Sequence, residues 1–223
     1  MEPIAHIETP FAEKFGIPRQ SGIVAVKGRV VFEPKYRVAE AVRGLEGFDY
    51  IWLLWQFSQS IGHEWSATVR PPRLGGNQRM GVFATRSPFR PNPIGLSSVR
   101  LKSIDYNDPR SPILDIEGAD LMDGTPIYDI KPYLPYTDSH PDARSGFAVR
   151  PAEYLLDVDF SAVPDLPEEL EQSIREILAH DPRPQYHNDA EREYGMSYGH
   201  YNILFQVKEN LVVVKAITKR KQS

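Results

Sequence analysis

The chain has 223 residues, of which 41% are hydrophobic and 25% are charged, and its formal net charge at pH 7 is -4. This composition is typical of a soluble globular protein with one domain and a small appendage, and the negative charge argues against a general nucleic-acid binder. The chain has no cysteine, which excludes disulfides, thiolate nucleophiles and cysteine-type zinc sites. No apolar run approaches the roughly 20 residues of a membrane helix, and the N-terminus lacks a secretory signal pattern, so a cytoplasmic protein is expected.

The predicted elements of the first part of the chain are mostly short strands separated by proline and glycine turns. They cover residues 22–26, 50–57, 66–70, 81–84, 96–104, 113–117 and 125–130. One helix is predicted at residues 37–45, where apolar residues recur at helical spacing before Gly47. This pattern indicates an antiparallel barrel or sandwich. It does not show the strand-helix alternation of a doubly wound nucleotide-binding domain.

A boundary is predicted at the proline pair Pro164 and Pro167, which divides the chain into a β domain (1–163) and a small α+β domain (164–223). The second domain is predicted to hold an amphipathic helix at 168–180 and strands at 202–207 and 211–216, joined by a hairpin turn. The basic tail at 219–221 is expected to be disordered.

Charge is distributed unevenly along the chain. No acidic residue occurs between Trp65 and Ile104, although six arginines and one lysine do, whereas nine acidic residues and one arginine lie between 153 and 181. One positive face would attract phosphates or carboxylates. The alternative is that these arginines are ordinary solvated strand residues.

Within the acid-free stretch, residues 83–98 read FATRSPFRPNPIGLSS. Arg86 and Arg90 lie four residues apart in a stiff segment and are suited to binding one anion. Asn92 is held between two prolines, and Gly95 would permit a ligand to approach the backbone. The alternative is a rigid turn whose arginines bind backbone carbonyls.

Two further stretches combine proline with polar side chains. Residues 123–136 read DGTPIYDIKPYLPY, in which Asp129, Lys131 and Tyr133 follow an Asp-Gly turn, and residues 16–20 read GIPRQ. A strand with charges on its solvent face is the alternative for the first of these. The six histidines show no metal-ligand spacing, so no metal is expected.

Taken together, these motifs closely resemble the TsaA-like family. The matching segments are PRQ (18–20), VRPPRLGGN (69–77), GVFATRSPFRPNPIGLSSV (81–99), DGTPIYDIKPYLPY (123–136), DPRPQY (181–186) and YGM (194–196). The resemblance implies an S-adenosylmethionine-dependent tRNA methyltransferase that is dimeric and built on a mostly antiparallel β-barrel. The implied reaction methylates N6 of threonylcarbamoyladenosine at position 37, next to the anticodon.

The resemblance also implies a set of cofactor-binding residues: Pro18, Arg19, Gln20, Phe57, Ser58, Arg86, Leu96, Asp123, Gly124, Thr125 and Pro126. Ser58 departs from the family pattern, since many relatives have histidine there. Trp52, Trp55 and Phe57 are otherwise expected to belong to the core.

Methyl transfer to nitrogen requires the reacting atoms to be held in line, and an acceptor for the proton would assist. Asn92 and Asp129 are the candidate acceptors, and Tyr133 is the third predicted catalytic residue. A stacking aromatic is expected from Tyr128, Tyr133 or Phe89. Arg90 and Lys131 are predicted to bind the substrate, with the C-terminal domain and the basic tail gripping the anticodon arm of the tRNA.

Two other functions are compatible with the same residues. The barrel could bind an adenosyl ligand or RNA as a sensor without chemistry, or it could methylate a different substrate.

Overall fold

The computed structural model describes residues 1–62, 64–71, 74, 77–148, 155–183 and 189–220. The strands in these ranges are β1 (Ala5–Glu8), β2 (Lys27–Phe32), β3 (Tyr50–Gln56), β4 (Thr68–Val69), β5 (Met80–Gly81), β6 (Ile94–Asp105), β7 (Ile113–Glu117), β8 (Pro126–Pro132), β9 (Asp157–Asp159), β10 (Glu193–Tyr198), β11 (Tyr201–Lys208) and β12 (Leu211–Lys219). The α-helices are α1 (Pro135–Asp138) and α2 (Glu168–Ala179).

Six strands close into a barrel in the order β1-β2-β7-β6-β3-β8, and each neighbouring pair is antiparallel. Strand β3 shows why the sequence folds this way. Its side chains alternate, so that Ile51, Leu53 and Trp55 point into the barrel core while Trp52 and Leu54 are only half-buried. The predicted mainly β fold with an antiparallel barrel is therefore confirmed.

The second unit is a four-stranded sheet in the order β10-β11-β12-β9, with β9 parallel to β12. Helix α2 covers it with Ile174, Ile177 and Leu178, which are buried. The predicted C-terminal helix and hairpin are confirmed. The prediction of a disordered tail is wrong for Lys219, which ends β12, and for Arg220, whose N–H donates to the His200 carbonyl; residue 221 lies outside the described residues.

Residues from the start of the chain complete the second core. Phe11, Val24 and Val26 are buried with α2 and the C-terminal strands. The strand predicted at 22–26 is wrong, because its alternating valines face this core without joining a sheet ladder. The boundary at 163/164 stays a prediction, although the structure pairs Asp157–Asp159 with β12.

The helix predicted at 37–45 is also wrong. Two short 3-10 helices stand there instead, at Ala39–Val42 and Leu45–Gly47. Gly44 separates them with a φ of 85°, in the left-handed region that favours glycine, and an α-helix cannot continue through it. The strand predicted at 81–84 is wrong beyond Gly81, because Val82–Ala84 forms a 3-10 helix. Strands β1, β2, β9 and β10 were not predicted.

Candidate functional site

A cleft with a volume of about 540 Å³ opens where β3 ends and β6 begins. Its walls come from four stretches distant in sequence: residues 17–20, 55–60, 85–96 and 120–125. This volume lies within the range of small-molecule sites. The structure thus brings together parts of the three stretches that the sequence singled out.

Aromatic side chains form one wall of the cleft. Trp55 is 7% exposed, and its ring lies 4.3 Å from the ring of Phe57, centroid to centroid. Trp55 fits because the neighbouring strand carries Gly95 opposite it: a Cβ there would stand 2.6 Å from Trp55 Cδ2. Gly95 also lines the cleft, so its missing side chain makes room for the Trp55 ring at the cleft wall, and its predicted approach to a ligand stays a prediction.

The two arginines of the proline-rich loop have different hydrogen-bond partners. Arg86 Nη1 donates to the Gln20 side-chain oxygen, which connects this loop to the Pro-Arg-Gln segment on the other side of the cleft. Arg90 Nη1 donates to the carbonyls of Thr85 and Ser87, each at 3.1 Å, and so braces its own loop. Both line the cleft, but they do not converge on one point.

Arg19 lines the cleft and also holds the C-terminal unit. Its Nη2 donates to the carbonyls of Asp181 (3.1 Å) and Arg183 (3.0 Å). Asp181 and Arg183 are themselves joined by an ion pair of 2.8 Å between Oδ1 and Nε. The cleft wall at residues 18–20 is therefore attached to the segment that follows α2.

The remaining predicted cofactor residues divide into two groups. Residues that line the cleft are Pro18, Gln20, Phe57, Ser58, Leu96 and Thr125. Asp123, Gly124 and Pro126 do not line it; Asp123 Oδ1 instead accepts the Thr9 N–H at 3.0 Å, and Gly124 has a φ of 72°. This turn places Thr125, whose hydroxyl donates to the Met122 carbonyl at 2.6 Å.

The predicted catalytic residues are not all at the cleft. Asn92 lines it. Asp129 lies in a separate, smaller cavity and pairs with Lys131 at 3.0 Å. The Tyr133 ring contacts that of Trp52, which does line the cleft, with 5.6 Å between the ring centroids and 47° between the ring planes. The roles assigned to these residues stay predictions.

Sequence reasoning missed Asp120, which lies in the cleft wall. Its Oδ1 accepts the Ser97 hydroxyl at 2.6 Å, and Ser97 Oγ accepts the Trp55 indole N–H at 2.9 Å. Burial raises the pKa of the Asp120 carboxyl, and the hydrogen bond from Ser97 offsets part of this effect. The signal available in the sequence was an acidic residue between two apolar residues, Ala119 and Leu121. Both neighbours are buried in the structure.

Within the described ranges, no group of three or more His, Asp or Glu side chains is placed to hold a metal ion. None of the helices described is long and apolar enough to cross a membrane.

Comparison with known proteins places these features in one family. Residues 6–139 match the model of the tRNA-methyltransferase O N-terminal domain, and residues 156–220 match that of the TrmO C-terminal domain. The tRNA (adenine(37)-N6)-methyltransferase of Escherichia coli (strain K12) is 43% identical over 230 residues, covering 98% of this chain and 97% of that protein. The protein of the same name from Eikenella corrodens is 42% identical over 172 residues, covering 76% of this chain and 97% of that protein.

Solved structures agree with the sequence matches. The crystal structure of TrmO from Pseudomonas aeruginosa superposes with a TM-score of 0.76 and 31% sequence identity, covering 97% of each chain. Sequence and fold therefore lead to one conclusion: the chain belongs to the tRNA-methyltransferase O family.

Proposed function

We propose that the chain is an S-adenosylmethionine-dependent methyltransferase that methylates N6 of the adenine at position 37 of tRNA. The observation that carries the proposal is the cleft, which assembles the Pro-Arg-Gln segment, the arginine-proline loop and Thr125 around aromatic side chains. The names of the related enzymes indicate the substrate. The finer substrate, implied by the resemblance, is threonylcarbamoyladenosine.

The residues of the cleft fit an adenosyl ligand with an amino-acid end. Trp55, Phe57 and Met122 offer apolar surface to a flat base. Arg86 and Asp120 offer one positive and one negative charge in the same cleft. When bound, S-adenosylmethionine would supply a methyl group on a positively charged sulfur: a nitrogen lone pair attacks the methyl carbon, and the sulfur leaves as a neutral thioether.

The protein's contribution is mainly positional. The aromatic wall and Thr125 hold the donor, and the adenine lies beside Asn92, so that the attacking nitrogen and the methyl group align. Asn92 accepts a hydrogen bond from the N6 amino group and orients its lone pair. Asn92 cannot take the proton, so the proton leaves to water after the N–C bond forms, when the nitrogen is strongly acidic. Asp129 lines a separate cavity and does not line this cleft.

Basic residues near the cleft and on the C-terminal sheet bind the anticodon arm. Arg90, which lines the cleft, is the arginine that meets the substrate there. Lys215 and Lys219 of β12 and the following Arg220 are exposed, and they form the part of the C-terminal unit that suits a phosphate backbone. The four glutamates of α2 would repel it, so the helix faces away from the tRNA.

The protein acts as a homodimer in the cytoplasm. Large apolar side chains are exposed on and beside the arginine-proline loop, with Leu96 at 54%, Phe89 at 47% and Phe83 at 75%. Exposed apolar side chains grouped in this way are typical of a protein interface. Light scattering during gel filtration tests this, and a monomer at micromolar concentration would contradict it.

The reaction is tested by incubating the protein with methyl-labelled S-adenosylmethionine and tRNA from cells that lack this enzyme. The tRNA is then digested and its nucleosides are analysed by mass spectrometry. We expect one methyl group on N6 of threonylcarbamoyladenosine. Methylation of another nucleoside would refute the substrate, and cofactor binding without transfer to any tRNA would support a sensor instead.

A further inference from the structure

Asp120 and Arg86 present opposite charges to the same cleft without pairing with each other. No salt bridge within 4.0 Å joins Asp120 to any basic residue of the described part of the chain. The Arg86 guanidinium nevertheless acts on the Asp120 carboxylate through its charge. Both residues line the same cleft.

Keeping the Asp120 carboxylate ionised in this partly buried position costs free energy. Burial disfavours its charged form, and no cation of the described residues neutralises it directly. The Ser97 hydroxyl donates to Asp120 Oδ1 at 2.6 Å. An ionised carboxylate has about four acceptor sites, so acceptor capacity remains for a donor from a ligand.

We propose that Asp120 is a cofactor-binding residue that receives the α-ammonium group of S-adenosylmethionine, while Arg86 receives its α-carboxylate. The methionine end of that molecule is a zwitterion, and a cleft with an anion and a cation that do not pair with each other matches it. This inference rests on the proposed function in taking S-adenosylmethionine as the ligand.

The hydrogen bonds behind Asp120 give it a fixed orientation. Ser97 is 1% exposed and donates to Asp120 Oδ1, while the Trp55 indole N–H donates to Ser97 and thereby fixes the direction of the Ser97 hydroxyl. Trp55 itself lines the apolar wall. The same chain of contacts therefore connects the part of the cleft suited to the base with the part suited to the amino-acid end.

The test compares three ligands by isothermal titration calorimetry. S-adenosylmethionine and S-adenosylhomocysteine both carry the ammonium group but differ in the charge on sulfur, and 5′-methylthioadenosine lacks the amino-acid end. The variant is Asp120→Asn, which keeps the shape and an oxygen acceptor for Ser97. Asp165→Asn is the matched control, because Asp165 is exposed and lies outside the cleft.

We expect Asp120→Asn to weaken binding of S-adenosylmethionine and S-adenosylhomocysteine by the same factor, on the order of 10- to 100-fold, the effect of losing one charge-assisted hydrogen bond. Affinity for 5′-methylthioadenosine should not change, and the control should match the wild type throughout. Equal loss for all three ligands would indicate a general structural role and overturn the proposal. Loss for S-adenosylmethionine alone would place Asp120 at the sulfonium and would also overturn it.

A ligand-side measurement keeps the proposal testable if Asp120→Asn does not fold. The wild-type protein should bind the deamino analogue of S-adenosylhomocysteine on the order of 10- to 100-fold more weakly than S-adenosylhomocysteine itself, and equal affinities would refute the assignment. The proposed function fails separately: wild-type protein that binds none of these ligands would overturn both, whereas normal binding by Asp120→Asn would overturn only the role of Asp120.

Discussion

The close packing of Gly95 against Trp55 predicts a large effect of one added methyl group. In Gly95→Ala the new Cβ would lie within 3.0 Å of three atoms of the indole ring, a distance that Cβ atoms essentially never show. The ring has to move, and its hydrogen bond to Ser97, now 2.9 Å, is strained with it. Overpacking costs about 1–3 kcal/mol and a lost buried hydrogen bond about 1 kcal/mol more, so we expect a loss of about 2–4 kcal/mol of unfolding free energy.

Urea denaturation followed by tryptophan fluorescence measures this loss. Gly195→Ala is the matched control, because Gly195 also lies within a strand, β10, but a Cβ added to it would have no atom within 4 Å among its non-adjacent neighbours. The control should change stability by no more than about 0.5 kcal/mol. Since Trp55 also lines the cleft, Gly95→Ala should weaken cofactor binding as well. If the two alanine variants unfold at the same urea concentration, the packing argument for Gly95 is wrong.

Four other predictions concern the cleft and its surroundings. Arg86→Ala should weaken S-adenosylmethionine binding on the order of 10- to 100-fold by calorimetry, and Arg90→Ala should weaken it less, because that guanidinium is bound to its own loop; the reverse order would contradict both assignments. Asp129→Ala should leave cofactor affinity unchanged, because the residue lies in a separate cavity, and any clear loss in calorimetry would place it at the site. Arg19→Ala should speed amide hydrogen exchange in the segment after α2, whose carbonyls it holds, and unchanged exchange would show that the contact is unimportant. Burial raises the pKa of the Asp120 carboxyl in the folded state, so the protonated carboxyl contributes fully to stability below the unfolded pKa, and this contribution is lost as pH rises through the folded pKa. Ligand-free Asp120→Asn should therefore have a higher melting temperature than wild type at pH 7. The difference should be absent in thermal melts at about pH 3.

Local sequence patterns were sufficient for much of the fold. The short apolar runs in 50–57 and 113–117 predicted β3 and β7, and the helical spacing of apolar residues in 168–180 predicted α2. The same patterns misled where burial has another cause. Val24 and Val26 alternate like strand residues, yet they are buried against the second core rather than paired in a sheet.

The candidate site was predictable as a set of segments but not as a set of contacts. Proline-stiffened motifs and the family resemblance indicated residues 18–20, the 83–98 loop and the turn at 123–126, and the structure brings parts of all three to one cleft. Their individual roles stay predictions. That Arg86 reaches Gln20 while Arg90 binds its own loop depends on distances that local spacing does not determine.

The sequence by itself determined a β-rich first domain, the C-terminal α+β unit and the family, whose resemblance implied the barrel, because strand patterns, turn residues and long motifs are all properties of neighbouring positions. The tertiary structure alone decided that Gly95 accommodates Trp55, that Arg19 holds a segment 162 residues away, and that Asp120 is a partly buried acid in the cleft wall. The physical reason is that packing, hydrogen bonding and desolvation act between groups that are close in space. Tertiary folding brings these groups together although they are distant in sequence.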